Sequence, residues 1–120
     1  MIDTVRTIAW AMASRVRAHR FVHVSGLRGL ALTPAPRLGL EHAPVVSRVL
    51  ATTRATCLVR SAVLQRWLAD NGQPVDLVVG VTPPSRGFKA HAWLDLEAER
   101  HNLQSFSVIA RVSPDGDLRQ

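Results

Sequence analysis

Residues 56–81 read T-C-L-V-R-S-A-V-L-Q-R-W-L-A-D-N-G-Q-P-V-D-L-V-V-G-V, and the period of their apolar positions changes once. Before the change, Cys57, Leu58, Ser61, Ala62, Leu64 and Leu68 recur at helical spacing and predict one buried face. Thr53 or Thr56 can cap that helix, because a threonine hydroxyl accepts from an otherwise unpaired N–H of the first turn. Asn71-Gly72 stops it: glycine adopts the left-handed conformation a helix end requires, and Pro74 cannot continue it. From Val75 to Val81 the helical spacing is gone and β-branched residues dominate, which predicts a strand.

Working outward, Phe88 to Leu96 and Phe106 to Val112 predict a second and a third strand, with charged residues 97–101 turning the chain between them. Pro83-Pro84 and Gly87 make a loop. Pro114-Asp115-Gly116-Asp117 predicts a turn followed by a frayed end. Upstream, Pro44 to Thr52 reads as a helix with Pro44 in its first turn and a Val45, Val46, Val49, Leu50 stripe. Gly26, Gly29, Pro34, Pro36 and Gly39 punctuate an irregular connection. Residues 1–20 read as a helix whose apolar positions are Ile2, Val5, Ile8, Ala9, Met12, Ala13 and Val16. Helices first and a small antiparallel sheet after them make an α+β fold. The expected organisation is one domain: residues 1–43 form the N-terminal helix and connection, 44–112 the core and 113–120 a tail.

The chain has 120 residues, 47% of them hydrophobic and 20% charged, with a formal charge of +6. That length suits one domain able to bury a core without staples. A disordered chain would be poorer in apolar residues, and a disulfide framework needs more than one cysteine. No apolar run is long enough for a membrane span, and Asp3 sits where a signal peptide needs basic residues. A lone thiol without an export signal predicts a cytoplasmic protein. The positive charge is fourteen arginines and Lys89. It reads either as a solvated face or as attraction to an acidic partner. The arginines are scattered and aromatics are few, so neither nucleic acid nor a membrane is the expected partner.

Two side chains carry candidate chemistry. Cys57 opens the clearest helix, where unpaired N–H groups and the positive end of the dipole favour the thiolate, which is the nucleophile. Its alternative role is that of a small buried hydrophobe. His91 lies in the second strand, within A-H-A-W-L-D. A helix-borne thiol and a strand-borne imidazole that accepts its proton form a site for nucleophilic catalysis. The Cys57 N–H can serve an oxyanion hole, with a second donor from nearby such as a Thr53 or Thr56 hydroxyl. Trp93 shares the face of His91 and can shield it or fill the core. Arg60, one turn after Cys57, can pair within the fold or hold acidic groups of a substrate. His19 and His23 stand at i, i+4 but have no third ligand nearby, so no metal is expected. Gly26 and Gly29 lack the context of a phosphate loop, and no cofactor is implied.

Taken in order, C-L-V-R-S-A-V-L at 57–64, the helix end at Gly72, V-G-V at 79–81 and A-H-A-W-L-D at 90–95 resemble the lasso-peptide biosynthesis B proteins, in their transglutaminase-like leader-peptidase part. The likeness spans about residues 44–112. It implies a transglutaminase-like or papain-like cysteine peptidase core that removes the leader from a ribosomally made precursor peptide. Cys57 would be the nucleophile and His91 general base and then acid. It also implies a separate leader-recognition protein, since a chain of this length suits the split form, and an ATP-dependent cyclase that closes the freed core. One position departs from the pattern: where the family carries its third catalytic residue, an aspartate, this chain has Leu103. Asp95 is a poor substitute, being four residues along the strand and about 13 Å from His91 at roughly 3.4 Å per residue. If a turn centred near 97–98 pairs the second and third strands, residue 104 falls opposite His91. Asn102 or Gln104 then becomes a candidate orienter of the imidazole. Two other readings stay open: a non-catalytic peptide-binding scaffold in the same maturation complex, and an acyltransferase of the transglutaminase superfamily.

Overall fold

The computed structural model describes residues 1–25, 32–83, 85, 87, 89–96 and 106–119. The α+β arrangement is realised. Three helices come first: α1 (Ile2–Ser25), α2 (Ala43–Thr52), entered through a 3₁₀ turn at Leu40–His42, and α3 (Cys57–Asp70). Strands β1 (Leu77–Val81), β2 (Ala90–Leu94), β3 (Ser107–Val112) and β4 (Leu118–Arg119) follow. They form one antiparallel sheet in the order β2-β1-β3-β4.

α3 lies between the helix pair and the sheet, so it is buried on more than the single face its spacing predicts. Val59, Val63 and Trp67 join Val46 and Leu50 of α2 and Ala11 and Ala18 of α1 in one core cluster. Ala62 and Leu68 face a second cluster with Leu77, Ala92, Leu94 and Val112, and Cys57 packs against it. Gln65 is buried between these layers, and its Nε2 donates to the carbonyls of Val75 at 2.9 Å and Val112 at 2.8 Å. It thereby ties α3 to the end of the sheet where Leu77 pairs with Leu94 and Val112. The helix ends as expected. Gly72 has φ +95°, and the Gln73 N–H reaches the Leu68 carbonyl at 2.8 Å, closing a Schellman turn.

Three expectations need correcting. First, α1 runs on to Ser25 and presents a different face to the core: Thr7, Ala11, Ser14 and Ala18 are buried, while Ile2, Val5, Ile8, Met12 and Val16 are exposed. The reason is steric. α1 crosses the fully buried ring of Trp67, which meets Trp10 with ring centroids 5.4 Å apart. Small side chains let the helix backbone come close around two indoles. Second, β2 and β3 do not pair. β1 lies between them and opposes His91 with Gly80. The β1 run is apolar toward both faces, with Leu77 and Val78 each 1% exposed, and a central position buries both. Third, the C-terminal end is not frayed: Ser113–Asp117 turns the chain and Leu118 pairs back with Val112.

Candidate active site

Local chemistry sets the geometry around Cys57. Thr56 is the N-cap of α3, with extended φ/ψ, and its Oγ1 accepts the Val59 N–H at 3.2 Å. The Thr56 carbonyl accepts the Arg60 N–H at 2.8 Å. The N–H groups of Cys57 and Leu58 have no partner among the described residues. Two adjacent backbone donors therefore stand free beside the thiol, a suitable arrangement for an oxyanion. The Thr53 hydroxyl is used elsewhere: it donates to the carbonyls of Val49 at 2.8 Å and Leu50 at 3.3 Å and closes α2. Arg60 donates to the Ala55 carbonyl at 3.3 Å, which staples the turn ahead of α3. Cys57 itself is half-buried and free.

The strand side is built around Gly80. His91 faces it across β1–β2. The imidazole stacks on Trp93, with centroids 6.0 Å apart and planes at 22°, and meets Phe106 at 5.7 Å. Trp93 and Phe106 meet at 6.0 Å. A side chain on residue 80 would collide with this group: an added Cβ would stand 2.7 Å from Cη2 of Trp93 and 3.1 Å from the Phe106 Cβ. Glycine is needed here for close approach of an aromatic ring. The glycine of the V-G-V run was legible in the sequence, but its function as the floor beneath the His91 rings was not. Trp93 is both buried and in contact with the imidazole.

Helix and strand are joined by a contact the sequence reading did not assign. The Ser61 hydroxyl, one turn after Cys57, donates to the carbonyl of Ala92, the residue after His91, at 3.3 Å. Gln65, a further turn along, reaches the Leu94 end of the sheet. Strand alternation sets Ala92 and Leu94 on the face of β2 that packs with α3, and His91 and Trp93 on the opposite face, turned away from the helix that carries Cys57. No hydrogen bond between Cys57 and His91 is present among the described residues. A buried serine one turn from a helix-borne cysteine was the available signal for the link.

Asn102, Leu103 and Gln104 lie outside the described residues. Among the described residues the neighbour of His91 in the sheet is Gly80 of β1. The Asp95 carboxylate pairs with Arg111 at 3.2 Å across the sheet. On α1 the rings of His19 and His23 pack edge to face with centroids 4.3 Å apart. Among the described residues no three His, Cys, Asp or Glu side chains gather as a metal site, and no helix is long and apolar enough to cross a membrane.

Compared with known families, residues 4–111 match the model of the transglutaminase-like superfamily. No curated protein and no solved structure gives a match.

Proposed function

The chain belongs to the transglutaminase-like superfamily, and from that premise we propose that it is a cytoplasmic cysteine peptidase that removes the leader from a lasso-peptide precursor. His91 takes the thiol proton, and Cys57 Sγ attacks the scissile carbonyl carbon. The oxyanion is held by the N–H groups of Cys57 and Leu58. The C–N bond breaks as His91 returns the proton to the departing amine, leaving a thioester on Cys57. Water, deprotonated by His91, then releases the acid. Trp93 and Phe106 hold the imidazole plane. The step requires the imidazole, which lies on the other face of β2, to come within hydrogen-bond reach of Sγ when substrate is bound.

The observation that carries this reading is the Ser61–Ala92 hydrogen bond, which ties the Cys57 end of α3 to the strand bearing His91. The motif resemblance supports the finer assignment to leader removal. It also supports action on a leader presented by a separate recognition protein, with an ATP-dependent cyclase downstream. The test is leader cleavage of the precursor with these partners supplied. Cys57→Ala is expected to abolish cleavage with an unchanged circular dichroism spectrum; persisting cleavage refutes the mechanism. Leu103, at the family's aspartate position, favours one second reading, a peptide-holding scaffold. An iodoacetamide rate at pH 6 no faster than that of free cysteine would select it. The acyltransferase reading differs in the acceptor alone: an amine, in place of water, would be joined to the acyl group.

A further inference from the structure

We propose that the groove between α1 and α2 is the docking site for an acidic amphipathic helix of a partner protein. The apolar stripe that misses the core is the starting point. Ile2, Val5, Ile8, Met12 and Val16 are between 39% and 77% exposed. Val5, Ile8, Met12 and Val16 follow one another at helical spacing and share one face. From Val5 to Val16 the stripe runs about 16 Å at 1.5 Å per residue, three turns of a docked helix. The face continues into a groove of about 410 Å³ lined by Ile8 and Met12 of α1 and by Val45, Arg48 and Val49 of α2. The Arg15 guanidinium donates to the Thr53 carbonyl at 2.9 Å and holds the two walls together. Contiguous exposed apolar surface with polar margins marks an interaction site.

Charge selects the occupant. Residues 1–56 hold eight arginines against Asp3 and Glu41, whereas residues 57–120 hold six arginines and Lys89 against seven carboxylates. The entire +6 therefore belongs to the helical part that forms the groove. Helical spacing sets exposed Arg6 and Arg20 along one side of the stripe, and exposed Arg48 stands on the other. An apolar seam between basic margins complements a helix with an apolar face and acidic flanks. A second copy of this chain would bring the same positive face and be repelled. A flat bilayer surface cannot fill a concave groove. The site is separate from Cys57 and stands whether or not the peptidase reading holds.

The probe is a fluorescein-labelled peptide of about 18 residues, long enough to form a helix, with leucine at i, i+3, i+4 and i+7 and glutamate elsewhere. Its scrambled sequence and a lysine-for-glutamate version are the controls. Fluorescence anisotropy should show binding of the acidic helix alone, weakening as salt rises. Met12→Glu and Arg48→Glu, both at exposed positions, should each weaken binding about tenfold or more with helicity unchanged. Four results overturn the proposal: no binding of the acidic peptide, equal binding of either control, binding to phosphatidylserine vesicles but not to the peptide, or a dimer in sedimentation that Met12→Glu dissociates.

Discussion

Gly80→Ala tests the arrangement that holds His91. The new Cβ would stand 2.7 Å from Cη2 and 2.9 Å from Cζ3 of Trp93, and 3.1 Å from the Phe106 Cβ. Carbon atoms prefer roughly 3.5–4.0 Å, so the indole must retreat by about 1 Å. Trp93 is 8% exposed, and its neighbours on that face are His91 and Phe106. Overpacking of this kind costs about 1–3 kcal/mol. For a chain of this length that corresponds to a fall in Tm of about 4–12 °C. Differential scanning calorimetry reads the fall, and the Cε1–Hε1 resonance of His91 in a proton–carbon NMR spectrum reads the displaced ring currents. Gly72→Ala is the control: φ there is +95° with open space around the Cβ. It should lower Tm through backbone strain of about 1–2 kcal/mol without moving the His91 resonance. An unchanged Tm and an unmoved resonance in Gly80→Ala would refute the close approach, and with it the aromatic positioning of the imidazole.

Gln65→Leu removes the donor shared by the Val75 and Val112 carbonyls. The expected loss is about 1–3 kcal/mol in urea unfolding, the cost of stranding a buried polar group; a midpoint shift no larger than that of an exposed substitution would refute the bridge. In the turn before β4, the Ser113 hydroxyl and then the Asp117 backbone hold the Asp115 carboxyl below its ordinary value of 3.8. A depressed carboxylate stabilises the fold above the ordinary value, and that contribution is lost as pH falls through the lower folded one. An NMR titration should therefore place the Asp115 midpoint below 3.8 in the intact chain and return it upward in Ser113→Ala; identical midpoints would refute the contact.

What the sequence by itself determined is local. Thr56 as cap, Gly72 and Pro74 as stop, the Val75–Val81 strand and the order of helices before strands all depend on residues within a turn or two of each other. The backbone groups they satisfy are equally close. Cys57 and His91 were legible as candidates because their neighbours form short motifs. The tertiary structure alone decided which surfaces meet. α1 has a clear apolar stripe, yet its small-residue face is the buried one, because two indoles occupy the space a larger side chain would need. β1 took the place between β2 and β3 because both of its faces are apolar. Ser61 and Gln65 acquired their roles only when carbonyls 31 and 47 residues away came within reach of their side chains. Periodicity specifies an element and its stripes. Which stripe is buried depends on the shape of the surface that arrives opposite, and that shape belongs to the assembled core.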